Sequence, residues 1–171
     1  MTLDRIDFAI VASLQNNARL SNKELAARAG LAPSSCLERV RALTRAGVLR
    51  GHHAEVSPAA LGIGLQALVA VRLNRHAKQT FKSLYAHLLA LPEVLAIFHV
   101  SGENDLQVHV AVRDIRHLRD LIVERFAGRP EVGHCETSVL FDVYRKHQWP
   151  SYAAEAPPAP STSRRRARSS R

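Results

Sequence analysis

The residues with the clearest chemistry lie between Pro33 and Ala46, in the run P-S-S-C-L-E-R-V-R-A-L-T-R-A. Its apolar spacing is that of a helix. At about 100° per residue, Cys36, Val40 and Leu43 share one face, and Ser34, Glu38, Arg41 and Arg45 share the opposite one. Ser35 borders that polar stripe. Hydroxyls at a helix start, followed by arginines, are groups that reach base edges and phosphates in a DNA groove. Arg39 lies on the flank of the core face. A carboxylate (Glu38, Glu24 or another) or a phosphate would serve it equally. The plain alternative for the whole stripe is a solvated face on an ordinary two-helix corner.

Elements on both sides would position this helix. Ser21 is a good N-cap for a helix over 22–29, and Glu24 completes a capping box. Gly30 suits the end of that helix, Pro33 the first turn of the next, and Gly47 its stop. Ala32 stands where a side-chain cap is expected, which forfeits about 1 kcal/mol. Two short helices around a tight turn form a helix-turn-helix, whose second helix enters the major groove. Leu3, Ile6, Ile10 and Leu14 mark a first amphipathic helix, from about Leu3 to Asn17. The run V-L-R-G-H-H-A-E-V after Gly47 has the length and alternation of a hairpin wing. Adjacent His52 and His53 alone are weak evidence for a metal site, and none is assigned.

The 171 residues carry 24 Lys/Arg and 15 Asp/Glu, a net charge of +9. That charge is uneven: residues 1–56 have a net +3, residues 57–144 net zero, and residues 145–171 net +6. Any attraction to DNA must therefore come from the head and the tail. The last stretch, S-Y-A-A-E-A-P-P-A-P-S-T-S-R-R-R-A-R-S-S-R, is too poor in apolar residues to build a core. It reads either as a tether adding non-specific phosphate contacts or as an inert solvated end. There is no long apolar run to span a membrane and no secretory leader, and Cys36 and Cys135 fall in separate regions. A cytoplasmic protein without a disulfide framework is expected.

Beyond a connector at 57–64, strand and helix patterns alternate. Strands are expected over 65–73, 94–101, 106–112 and 132–144, with helices over 77–91 and 115–126. The order β-α-β-β-α-β is ferredoxin-like, with both helices on one face of the sheet. The other face would carry Leu68, Ala70, Leu95, Ile97, His99, Gln107, His109, Ala111, Ser138 and Leu140. It is too apolar to stay in water, and a second copy of the chain is the simplest cover. His99 and His109 read as hydrogen-bonded residues of that face or, less simply, as a pair responding to pH.

From Leu3 to about Tyr144 the chain resembles the Lrp/AsnC family of leucine-responsive and asparagine-type transcriptional regulators. The matching segments are L-D-R-I-D at 3–7, L-S-N-K-E-L-A-A-R-A-G-L at 20–31, P-S-S-C-L-E-R-V-R-A-L at 33–43, G-V-L at 47–49, V-S-G-E-N-D at 100–105 and R-P-E-V at 129–132. The resemblance implies an α+β chain, with an N-terminal winged helix-turn-helix and a C-terminal ferredoxin-like domain for effector binding and oligomerisation. It implies dimers that assemble further into tetramers, octamers or hexadecamers, with an amino acid bound between dimers. The loop of Ser101, Gly102, Glu103, Asn104 and Asp105 would help form that site. Its N–H groups would meet an amino-acid carboxylate, and Asp105 the ammonium. Two positions depart from the family pattern: Leu106 stands where an aromatic is frequent, and Asn104 where an apolar or aromatic residue is.

The expected organisation is a DNA-binding domain over 1–56, a linker over 57–64, an effector domain over 65–146 and a disordered basic tail over 147–171. The expected partners are double-stranded DNA, an amino acid or related small molecule, and further copies of the chain. The expected contacts to DNA are Ser34, Ser35, Glu38, Arg39, Arg41 and Arg45. No catalytic residue and no cofactor beyond such an effector is expected. Two rival readings remain: an architectural DNA-binding protein without an effector, and a regulatory module of amino-acid metabolism.

Overall fold

The computed structural model describes residues 2–74 and 78–152; Ala77, the expected start of a helix, and the tail beyond Tyr152 lie outside them. The described chain forms two compact units. One joins the residues up to His53 with those from Arg145 on, and the other runs from Ala54 to Tyr144. Residues 147–152, expected as the start of the tail, belong instead with the helical unit.

That unit contains α1 (Arg5–Asn16), α2 (Asn22–Ala29) and α3 (Pro33–Arg45). Each start has a local cause. Asp4 caps α1 in a reciprocal box with Asp7, and Ser21 caps α2 in the same way with Glu24. Gly30 ends α2 at φ 67°, a left-handed conformation that suits glycine, and the Leu31 N–H reaches back to the Ala26 carbonyl. Ala32 gives α3 no side-chain cap, as expected, and Pro33 opens it. Ile10, Leu14, Leu25, Ala26, Cys36 and Leu43 form the core.

The expected wing hairpin is not seen. No strand occurs between Val48 and Val56, and residues 50–57 are exposed. The Val48 and Leu49 N–H groups fold back, both onto the Leu43 carbonyl. A two-stranded ribbon lacking a third strand or an apolar backing is marginal, which fits its absence here.

In the second unit a 3₁₀ turn (Ala59–Leu61) leads into β1 (Leu65–Leu73). Then follow α4 (Lys78–Leu89), β2 (Val94–His99), β3 (Leu106–Val112), α5 (Ile115–Leu121) with a π-helical turn over Ile122–Ala127, and β4 (Val132–Leu140). The strands lie in the order β2-β3-β1-β4, all antiparallel, which is the ferredoxin-like arrangement. One sheet face packs Ala67, Val69, Val71, Leu106, Val108 and Val110 against Leu84, Leu88, Leu118 and Phe126 of the helical layer. Ile115, at the start of α5, is 64% exposed, and Leu121 is buried. β4 ends at Leu140, short of the expected 144.

The expected phase of β2 is corrected. Val94 pairs with Val110, but Ala96 pairs with His109, so Leu95 is an extra residue in a bulge. Beyond it every side chain changes face. Ile97 joins the core opposite Val108, and Ala96 and Phe98 take the open face. His99 turns to the helical side, where its ring stacks on Phe81 at 4.7 Å. His99 and His109 thus lie on opposite faces. His109, 5% exposed, shares a hydrogen bond of 2.9 Å between Nε2 and Gln66 Oε1. No helix among the described residues is long and apolar enough to cross a membrane.

Candidate nucleic-acid interface and effector loop

Helix α3 turns Cys36 and Leu43 fully inward, and Val40 packs beside them. This leaves Ser34, Ser35, Glu38, Arg41 and Arg45 in solvent. Ser35, Glu38, Arg39, Arg41 and Arg45 line one shallow hollow along its outer side. Five of the six expected contact residues are thereby brought together, and Ser34 lies at the exposed helix start. Asn22 donates through Nδ2 to the Pro33 carbonyl at 2.7 Å, so the starts of α2 and α3 meet at one end of the unit.

Arg39 is engaged differently from its neighbours. Its Nη1 lies 2.7 Å from Asp4 Oδ2 and 2.8 Å from Asp7 Oδ1. Asp7 is 5% exposed, so this pair neutralises a charge that burial would otherwise penalise. The Asp7 N–H, then the Arg39 guanidinium, hold the Asp4 carboxyl below its usual value. The same carboxylates, Asp4 first, raise the Arg39 pKa. Arg39 fixes the angle of α3 against α1, and a phosphate would have to compete with two carboxylates for it. The signal missed in the sequence is Asp4-x-x-Asp7: an i, i+3 pair on one helix face is a natural seat for a guanidinium. Among the described residues, neither Arg41 nor Arg45 is in an ion pair.

The loop from Ser101 to Asp105 joins β2 to β3. Gly102 has φ 124°, outside the usual range of other residues. The Val100 N–H donates to the Asp105 carbonyl at 3.0 Å, closing the loop. Asp105 is held against the end of β1. Its N–H donates to the Val71 carbonyl at 2.9 Å, and its Oδ2 accepts the Leu73 N–H at 2.8 Å. Expected only as an ammonium acceptor, Asp105 therefore also anchors the loop, because its place in the ladder puts it beside a strand-end donor. Ser101, Gly102 and Glu103 are exposed, and Asn104 and Asp105 are half-buried. Glu103 lies 3.4 Å from Arg72 in the open. Among the described residues, no cluster of His, Cys, Asp or Glu could hold a metal ion.

Comparison with known proteins places both units. Residues 3–50 match the model of the winged helix-turn-helix DNA-binding domain, and residues 66–150 that of the Lrp/AsnC ligand-binding domain. The HTH-type transcriptional regulator AldR of Mycolicibacterium smegmatis is 39% identical over 143 residues, 84% of each chain. The leucine-responsive regulatory protein of Salmonella typhimurium is 38% identical over 140 residues, 82% of this chain and 85% of that one. Among solved structures, a transcriptional regulator of Neisseria meningitidis in complex with L-Met superposes with a TM-score of 0.80 at 32% identity, covering 87% of this chain and 97% of the other. The AldR of Mycobacterium tuberculosis gives 0.72 at 32% identity, covering 86% and 100%. With a first unit that matches the winged helix-turn-helix model and a second, ferredoxin-like unit that matches the ligand-binding model, and with relatives that are regulators rather than enzymes, this chain belongs to the Lrp/AsnC family of DNA-binding transcriptional regulators.

Proposed function

We propose that the protein is a sequence-specific regulator whose DNA binding responds to an amino acid or a closely related metabolite. The observation that carries the DNA part is the outer side of α3, where Arg41 and Arg45 stand exposed beside Ser34, Ser35 and Glu38. Ser34 and Ser35, at the helix start, reach base edges; Arg41 and Arg45 reach bases or phosphates; Glu38 suits a cytosine amino group. Arg39 acts through the angle it gives α3 and contacts phosphate only secondarily. The chain works as a dimer, sheet against sheet, so that two α3 helices meet half-sites one helical turn or a multiple apart. Higher assembly, as far as an octamer, places the effector between dimers.

The effector part rests on the ligand-binding domain match and on the L-Met held by the Neisseria relative. The Ser101–Asp105 loop contributes N–H donors for an amino-acid carboxylate. Asp105 serves the ammonium while keeping Leu73, since a carboxylate offers about four acceptor sites. Ligand and assembly are linked thermodynamically: what favours one assembly changes how many reading helices engage DNA.

The test is footprinting on the DNA upstream of its own coding sequence, with and without a panel of amino acids. A protected repeat whose extent changes with one amino acid is expected. No preference over random duplex would defeat the DNA-binding reading. A footprint indifferent to every amino acid would favour the architectural reading, which the bond from Leu73 to Asp105 also suits. Asp105→Asn then separates the loop's two duties: it keeps an acceptor for Leu73 and loses the charge for the ammonium.

A further inference from the structure

Residues 145–152 join the helical unit. The Trp149 N–H donates to Gln15 Oε1 at 2.6 Å, and Gln148 Nε2 to Asn16 Oδ1 at 2.9 Å. Both acceptors lie in the last turn of α1. That turn runs through Asn17 and Arg19 directly into the start of α2, where Asn22 holds Pro33 at the start of α3. The residues that receive this segment are therefore at the same end of the unit as the starts of α2 and α3. In a helix-turn-helix this is the end that faces DNA: the second helix enters by its first residues while the first crosses the backbone.

The chain that follows is strongly basic. Between Tyr152 and Arg171 there are five arginines, at 164, 165, 166, 168 and 171, and one acidic residue, Glu155. The M. smegmatis relative covers 84% of this chain and the ligand-binding model stops at residue 150, so this run is no part of the model that defines the second unit. Arg164 stands twelve positions beyond Tyr152, a length that spans at most about 40 Å. DNA carries one charge per about 1.7 Å of axis, so phosphates are abundant within that reach.

We propose that the Arg145–Tyr152 segment moors the C-terminal arginines to the DNA-facing end of the helix-turn-helix unit, where they add phosphate contacts indifferent to sequence. The inference rests on the DNA-binding reading above. The two hydrogen bonds are exposed, so their contribution is to local concentration: a basic run tethered to the DNA-binding unit meets the same duplex without a second diffusional search. The arginines would raise affinity for all DNA alike, while α3 keeps discrimination.

Fluorescence anisotropy across a salt series tests this, with the full chain, a chain ending at Tyr152, and a full-length chain with the five arginines changed to Gln. The probes are the upstream duplex and a random duplex. Every phosphate left without its arginine flattens the log–log salt slope by about 0.9, so both variants should flatten it by about 2–4. Affinity should fall on the order of tenfold or more, equally on both duplexes. Trp149, the sole tryptophan, reports on the mooring, and duplex should shield its emission from iodide quenching. An unchanged salt slope in both variants overturns the proposal, as does a Trp149 whose quenching ignores DNA. Binding of the full chain but not the truncated chain to anionic vesicles, with no change on DNA, would give the arginines to a membrane surface and equally overturn it. Failure of the full chain to bind either duplex would instead defeat the underlying DNA-binding reading.

Discussion

Among the described residues the helical unit buries six apolar side chains in its core, whereas the sheet unit buries thirteen. The smaller unit relies on local devices instead: two capping boxes, a left-handed glycine, a proline at a helix start and the Arg39 bridge between helices. The larger one relies on pairing between distant strands, β1 lying between β3 and β4. The part that touches DNA is thus built from short-range signals around a thin core. The part that takes the ligand is built from long-range packing.

The strongest way to probe that contrast is to cut into each core. Phe126→Ala should cost the sheet unit about 3–5 kcal/mol, and Leu43→Ala the helical unit about 2–5 kcal/mol. Calorimetry should show each variant lowering a different transition. If both lower one shared transition, the units unfold together and the contrast loses its thermodynamic meaning.

Next in size is Gly64→Ala. A Cβ there would run into the backbone carbonyl of Arg113, which cannot swing away as a side chain could. A loss of about 1–3 kcal/mol is expected, confined to the sheet unit. A chemical-denaturation midpoint equal to that of the parent would show that the strand end can yield.

The arginines of α3 should divide into two kinds. Arg41→Ala and Arg45→Ala should weaken operator binding by about 1–3 kcal/mol where the contact is bidentate to a base, and leave thermal stability alone. Arg39→Ala should do the opposite first. It strands Asp7 and lowers the melting temperature of the helical unit, and its effect on binding should be the same for every DNA sequence. Stability unchanged in Arg39→Ala would remove the bridge from the account of the head.

Smallest is the response to acid. The Asp7 N–H and Arg39 lower the Asp4 pKa, Ser21 lowers that of Glu24, and Arg129 lowers that of Glu131. A carboxyl lowered on folding binds its proton more readily when unfolded. Its stabilisation is therefore whole above the ordinary value, 3.8 for Asp or 4.5 for Glu, and lost as pH falls through the lower folded value. Melting temperatures should hold steady down to about pH 5 and fall below it. Asp4→Asn should remove part of that fall from the helical unit only.

The same contrast explains what can be read from the sequence. The bounds of α2 and the start of α3 are legible because Ser21, Glu24, Gly30 and Pro33 act within a few residues of where they stand. The alternation of β1 and β3 is legible because both are central and regular. The phase of β2 is not, because the register with β3, beyond a loop, decides which residue is extra. The bridge from Arg39 spans more than thirty positions, and several carboxylates could equally have met it. The second duty of Asp105 is hidden because Leu73 is brought beside it only by the sheet.

The bulge at Leu95 makes parity a property of this chain. A strand has two faces, so adding or removing one residue exchanges odd for even in everything that follows. Were the bulge straightened with Leu95 kept, Phe98 would be driven inward while Ile97 and His99 were turned out, with composition unchanged; deleting Leu95 would instead leave all three where they are. Two relatives with the same residues in this strand could thus present different outer surfaces, according to whether the bulge is kept. The outer surface of this strand is therefore set by its register, which residue identity does not report.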